Sequence, residues 1–224
     1  MSADERTAPR PLPVTKRGNR TRATLIAAAR TVFERDGYLD ARLTDITAEA
    51  KCSTGSFYTY FDNKDEIFAA VLEQATDEML HPGEPHIDTE SDASSADEGA
   101  SGQRHPWHSV EASNRAYFTS YQRNAKLMRL LEQVAQIDPA FRAVRQKRSQ
   151  DFVARNARGI EKLQREGIAD PGIDAQMAAR ALSSMVSRLA YGEFALGELT
   201  DFDLLVTTTT QLWCNALKIA PPEK

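Results

Sequence analysis

The stretch Arg42-Leu43-Thr44-Asp45-Ile46-Thr47-Ala48-Glu49-Ala50-Lys51-Cys52-Ser53-Thr54-Gly55-Ser56-Phe57-Tyr58-Thr59-Tyr60-Phe61-Asp62-Asn63-Lys64-Asp65-Glu66-Ile67 decides the fold. Residues 43–49 fit a short helix with Leu43 and Ile46 inward, and residues 54–60 a second one with Ser53 as its N-cap. A three-residue turn between them makes a helix-turn-helix, whose second helix can enter a DNA major groove. Thr54, Gly55, Ser56, Tyr58, Thr59 and Tyr60 are small or carry hydroxyls, while Phe57 and Phe61, four apart, serve as inward anchors. A core helix would not carry so many hydroxyls, and a merely solvated one would carry more Lys and Glu. Such a surface can approach DNA closely and bond phosphates and base edges. The candidate DNA-contacting residues are Arg42, Thr44, Ser53, Thr54, Gly55, Ser56, Tyr58, Thr59, Tyr60 and Lys64. Lys64 is assigned to a phosphate, because an ammonium beside the open N–H groups of a helix start suits an anion.

Upstream, Leu25, Ala28, Ala29, Val32 and Phe33 form one apolar stripe at helical spacing, ending at Asp36-Gly37 with Gly37 suited to the left-handed C′ position. Residues 1–16, with three prolines and no apolar period, read as a disordered tail. Downstream, a fourth helix is predicted to begin near Asp62, with Asp62 and Asp65 as a capping box. It carries Ile67, Phe68, Val71, Leu72, Ala75 and Met79. Residues 79–106 break the pattern and are predicted to be an acidic, mobile linker. Helices then follow over about 107–121, 127–137, 139–166, 174–196 and 201–219, with Thr200 and Asp203 as a further cap. Asp170-Pro171-Gly172 reads as a turn. No segment alternates like a strand. The expectation is an all-α chain of about nine helices, with a three-helix helix-turn-helix domain over 17–78 and a larger helical domain over 107–224.

Length and composition exclude several classes. The 224 residues are 41% hydrophobic and 27% charged, as in an ordinary globular protein. No apolar run approaches the roughly 20 residues that cross a bilayer, and Met1-Ser2-Ala3-Asp4-Glu5 shows no secretory signal. Cys52 and Cys214 are too few for a disulfide framework. The reading is a soluble cytoplasmic protein without membrane partners. The net charge of −4 hides an asymmetry, with six basic against two acidic residues over 1–24 and one against six over 81–106. A basic arm ahead of a folded domain attracts phosphates, although a tail that only aids solubility has the same charge.

The quoted stretch resembles the TetR family of bacterial transcriptional regulators. The resemblance rests on Leu25…Ala28-Ala29…Phe33…Gly37 and on Asp45-Ile46…Ala50…Ser53-x-Gly55-Ser56-Phe57-Tyr58-x-Tyr60-Phe61-x-x-Lys64-x-x-Ile67, over about residues 17–70. It implies that the first three helices bind operator DNA, that the remaining helices bind a small molecule, and that the last two long helices pair with a second subunit. The subunit contact is then expected at Ala178, Ala181, Leu182, Met185, Leu189, Leu212, Trp213 and Ala216. Three departures stand out. Lys51 occupies a turn position where the family often has Gly, so it must adopt the turn geometry at some cost. Cys52 replaces a usual valine, as a small packing thiol or a redox-sensitive one. The acidic insert after the fourth helix is untypical.

In the larger half, Trp107, Phe118, Tyr121, Met128, Phe141, Phe152 and Met177 are candidate ligand contacts, although each type is individually more often core. Residues 142–166 hold eight basic against three acidic side chains, either an exposed face or a site for an anionic group. Together these suggest an apolar or aromatic effector with an anionic end. His105-x-x-His108 has a spacing that could grip a divalent metal, against the plainer reading of a solvated loop. No catalytic signature, metal site or cofactor motif appears, so no enzyme, no catalytic residue and no cofactor are expected. The function read from the sequence is a homodimeric, ligand-responsive repressor of transcription that binds a palindromic operator. A non-regulatory architectural DNA-binding protein, or a helical ligand carrier, are the alternatives.

Overall fold

The computed structural model describes residues 15–81, 105–198 and 201–222, and every regular element among them is helical. The chain forms two compact units, one up to Gln74 and one from Ala75 onward. Residues 1–14 of the tail predicted over 1–16, most of the acidic segment including His86, and Thr200 lie outside the described residues, while Thr15 and Lys16 are the N-cap and first residue of α1.

The first unit holds α1 (Lys16–Asp40), α2 (Leu43–Glu49), α3 (Thr54–Tyr60) and the start of α4 (Lys64–Leu80). The apolar stripe of α1 is buried, with Leu25, Ala29, Val32 and Phe33 fully enclosed beside Ile46, Phe57, Phe61, Ile67 and Phe68. Each of the larger side chains contributes about 1.5–3 kcal/mol by leaving water. Phe33 meets Phe68 edge-on at 4.8 Å, and Tyr38 tilts against Phe68 at the same distance. The helical run of α1 is interrupted at Gly37, whose φ is 81°. Its ψ of 173° is extended rather than left-handed helical, so the glycine makes a corner instead of the expected cap.

The start of α4 also differs from expectation by one residue. The Asn63 side chain, not Asp62, accepts the N–H of Glu66 at 2.9 Å, and Glu66 reaches back to the N–H of Asp62 at 2.6 Å. The Asn63 half is that of a capping box, whereas Glu66 reaches one residue further back, to Asp62 rather than to Asn63 itself. Asp65 is left to accept the Tyr38 hydroxyl.

The second unit is built from α5 (Pro106–Ile137), α6 (Pro139–Arg165), α7 (Ala175–Ala190) and α8 (Phe202–Leu217), with a π-helical segment, Tyr191–Leu196, continuing α7. The described residues hold eight α-helices, not nine, because α5 runs unbroken for 32 residues where two helices were expected. No Gly or Pro lies between Trp107 and Ile137, and Asn124 turns its amide to the Ser120 carbonyl at 2.9 Å instead of capping a new helix. α5 packs against α6, α8 and the π-helical segment, and α6 packs against α7. Phe118, Leu127, Met128, Leu131 and Phe141 fill the core between them. Asp138 caps α6 through the N–H of Ala140 at 2.7 Å, with Pro139 following as expected. Asp201 caps α8 by accepting the N–H of Leu204 at 2.8 Å.

Candidate functional site

Two places carry chemistry, one in each unit. In the first, α2 ends in a Schellman motif: the Lys51 N–H donates to Ala48 O at 3.1 Å and the Cys52 N–H to Thr47 O at 3.0 Å. That motif puts Lys51 in the left-handed region, at φ 52°, as its turn position required. The chain then re-enters helix at Ser53, whose hydroxyl accepts the Ser56 N–H at 3.2 Å. Phe57 and Phe61 point inward and are fully buried, with ring centres 5.8 Å apart. They fix the rotation of α3 about its axis, and so decide which residues face outward.

The outward set includes Ser53, Thr54, Gly55, Tyr58 and Thr59, all exposed, with Ser56 and Tyr60 half-buried. Tyr58 stands edge-on to Phe57 at 5.5 Å and remains 48% exposed. The Thr59 hydroxyl donates to Gly55 O at 3.3 Å and keeps its acceptor capacity. Arg42, the N-cap residue of α2, makes no side-chain cap bond, and both it and Thr44 are exposed. A shallow recess beside the turn is lined by Arg17, Arg20, Thr21, Thr24 and Lys51. These cations flank the hydroxyl-bearing face and suit a phosphate backbone. The recess was not named from sequence, although the basic run toward Arg22 hinted at it.

Lys64 is placed differently from the other candidates. Its ammonium donates to the carbonyls of Tyr38, Leu39 and Ala41 at 2.8, 3.2 and 3.2 Å and lies 4.7 Å from the centre of the Tyr38 ring. It ties the end of α1 to the start of α4. Cys52 is half-buried, and its burial raises the thiol pKa, which weakens the redox reading.

In the second unit, α5 to α8 line a half-open cavity of roughly 1660 Å³, with Met79 of α4 also on its wall. Of the seven candidate ligand contacts, Tyr121 and Phe152 line it. Phe118, Met128 and Phe141 are buried in the core, Trp107 is half-buried off the wall, and Met177 is 59% exposed. The wall instead gains Tyr117, Arg148 and Trp213. Tyr117 meets Phe152 edge-on at 5.4 Å. Asn156 of α6 donates to the Ser183 hydroxyl of α7 at 2.8 Å, a polar clasp between two walls. Burial raises the Tyr121 phenol far above its ordinary pKa, only partly offset by Arg148, so the hydroxyl stays protonated.

The basic run on α6 splits by direction. Arg145 pairs with Glu132 at 2.9 Å, Lys147 with Asp151 at 2.6 Å, and Arg142 donates to the carbonyls of Ala135 and Gln136 at 3.3 Å. Arg155 donates to the Leu80 carbonyl. Arg148 is buried. His105 caps α5 by accepting the Trp107 N–H at 3.3 Å, and His108 lies 3.8 Å from Glu111. The described residues contain no group of three or more His, Cys, Asp or Glu placed to hold a metal ion, and no helix long and apolar enough to cross a membrane.

The residues expected to meet a second subunit divide in the same way. Ala181, Leu212 and Ala216 are exposed, and Met185 and Leu189 are half-buried. Ala178, Leu182 and Trp213 are already buried within one chain.

Comparison with known proteins agrees with this division into two units. Residues 25–71 match the model for bacterial regulatory proteins of the tetR family, and residues 110–218 match that for the C-terminal domain of transcriptional regulator EthR. The HTH-type transcriptional repressor SCO4008 of Streptomyces coelicolor is 43% identical over 54 residues, 24% of this chain and 28% of that protein. The chain spans less than a third of the length of the curated relatives it matches. A TetR-family regulator structure from Syntrophomonas wolfei superposes with a TM-score of 0.69 at 16% identity, covering 92% of this chain and 98% of that one. SmeT, the repressor of a Stenotrophomonas maltophilia multidrug efflux pump, superposes with a TM-score of 0.63 at 22% identity, covering 87% and 89%. At these identities the superpositions speak for the fold. With both units matched, over more than two thirds of its length, the chain belongs to the TetR family of bacterial transcriptional regulators.

Proposed function

We propose that this protein is a repressor that binds a palindromic operator as a homodimer and is controlled by a small molecule held in the α5–α8 cavity. The observation that carries the DNA half is the face of α3, where two buried phenylalanines hold a row of hydroxyls and Tyr58 outward beside a basic recess. One such helix makes too few base contacts for specificity, so two are needed about 34–36 Å apart or a multiple of that. The exposed Leu212, Ala181 and Ala216 supply a surface through which a second copy could join.

The cavity supports the control half. SmeT, which shares the fold, has also been solved in complex with triclosan. In this chain α4 links the two activities, since Lys64 near its start holds the end of α1 and Met79 near its end lines the cavity. A ligand shifts the balance only if it binds the two conformations unequally, and a coupling of about 1–3 kcal/mol would change operator affinity some 5–150-fold.

Selection from random-sequence DNA tests this reading. A regulator should enrich one palindrome, and Thr54, Ser56 or Thr59 variants should change the preferred bases by about 1–3 kcal/mol each. Enrichment of no sequence would favour an architectural binder. No salt-sensitive DNA binding at all would favour a ligand carrier.

A further inference from the structure

We propose that Arg148, held between Tyr121 and Phe152, is the anchor for the anionic end of an amphipathic organic acid lodged in the α5–α8 cavity, with Trp213 Nε1 supplying a second donor. The proposal rests on the reading of this cavity as the effector site.

Arg148 and Trp213 are each only 8% exposed, and both line the cavity. Arg148 Nε and Trp213 Nε1 are two of the three buried side-chain polar atoms, among the described residues, that find no hydrogen-bond partner. Buried donors are nearly always satisfied, and each one left over costs about 1–3 kcal/mol, more when charged. Two on the wall of one cavity point to acceptors that arrive with a ligand.

The surroundings of Arg148 give that ligand its charge. The guanidinium carbon stands 5.9 Å from the centre of the Tyr121 ring and 5.6 Å from that of Phe152. Ring faces attract a cation but offer no lone pair to its N–H groups, so they hold the guanidinium without using its donors. The protonated Tyr121 is no counter-ion. Neighbouring cations on the wall are already engaged, Arg145 with Glu132, Lys162 with Glu166 and Arg155 with a carbonyl. Arg148 forms no ion pair among the described residues. A planar fork with an open donor edge matches a carboxylate, sulfonate or phosphate oxygen pair.

The rest of the wall sets the body of the ligand. Tyr117, Phe152, Ile160, Leu163 and Leu217 present aromatic and aliphatic surface. The volume of roughly 1660 Å³ exceeds the 300–1,000 Å³ of a typical drug-sized site, room for a long chain or several rings.

Two fluorescent probes that differ by one anionic group test the idea on the full chain: anilinonaphthalene sulfonate and its neutral relative N-phenylnaphthylamine. The wild type should bind the sulfonate at least about tenfold more tightly, the worth of one charge-assisted hydrogen bond. Arg148→Met should erase that preference while leaving the neutral probe unchanged, and Trp213→Phe should weaken the sulfonate severalfold. Arg158→Met, exposed on the same helix, should change neither. Equal wild-type affinity for the two probes, or the same loss of sulfonate binding in Arg158→Met, would overturn the anion anchor and leave the cavity reading standing. Failure of both probes to bind would sink the cavity reading itself. If Arg148→Met does not fold, Arg148→Lys decides: it keeps the charge without the fork, so a partial loss of preference is expected and an unchanged preference counts against the proposal.

Discussion

The ammonium of Lys64 lies 2.8 Å from the carbonyl oxygen of Tyr38 and 4.7 Å from the centre of its ring, so one side chain both caps the end of α1 and covers the aromatic beside it. A cation at a helix C-terminus meets the negative end of the helix dipole as well as its open carbonyls. Lys64 therefore shapes the helix-turn-helix unit from within.

Replacing Lys64 by Met should lower stability by about 1.5–3 kcal/mol, the range for hydrogen bonds to a charged donor, and weaken DNA binding as a consequence. Tyr58→Ala, at an exposed position, should weaken binding to all sequences without moving the melting temperature. Calorimetry beside gel shifts separates the two. A Lys64→Met variant that melts like the wild type yet binds DNA poorly would show that the ammonium contacts phosphate after all.

Lys51, at φ 52°, sits where a Cβ is disfavoured. Lys51→Gly should stabilise the chain by about 0.5–1 kcal/mol once glycine's larger unfolded entropy is counted, while Lys51→Val should destabilise it by at least as much. The glycine variant also removes one cation from the basic recess. The slope of log affinity against log salt should fall by about one if that cation neutralises a phosphate. An unchanged slope would remove Lys51 from the DNA interface.

Leu212 is 44% exposed on α8, where a glutamate costs little within one chain. Leu212→Glu should therefore fold normally, run at the 24.9 kDa of one chain in light scattering, and lose operator binding, while the wild type runs at twice that mass. A wild-type protein of single-chain mass at working concentration would rule out the dimer.

Asp170 accepts the Lys218 ammonium at 2.8 Å and the Gly172 N–H at 2.9 Å, and these hold its carboxyl below the ordinary 3.8. A depressed folded pKa adds stability that is present above the unfolded value and disappears as pH falls through the folded one. The melting temperatures of wild type and Asp170→Asn should thus differ fully at neutral pH and converge below about pH 3.8. A gap that is constant with pH would assign the effect to the turn geometry alone.

The helix-turn-helix was legible because its signals agree: Ser53 is a cap, Phe57 and Phe61 share a face, and the hydroxyls between them have no buried use. The start of α4 lies one residue beyond the expected one because Asp62 and Asn63 are both good caps, and only the fold shows that Asn63 accepts the Glu66 N–H. α5 runs unbroken where two helices were expected, because no Gly or Pro interrupts it between Trp107 and Ile137. Arg148 lay hidden among eight basic residues. Its spacing of seven from Phe141 and four from Phe152 nevertheless put it on the apolar stripe of α6. The partners of Lys64 were beyond sequence reasoning, since they depend on where the end of α1 comes to rest.

The unbroken run of α4 has a mechanical consequence. Its 17 residues, at 1.5 Å each, make a rod of about 25 Å. A rod is a lever, and a pivot of about 5° at one end sweeps the other through roughly 2 Å. Hydrogen bonds to base edges keep their strength only over a few tenths of an ångström. Under the proposed control by a ligand, a small displacement of Met79 would therefore be enlarged along α4 by the time it reaches Lys64.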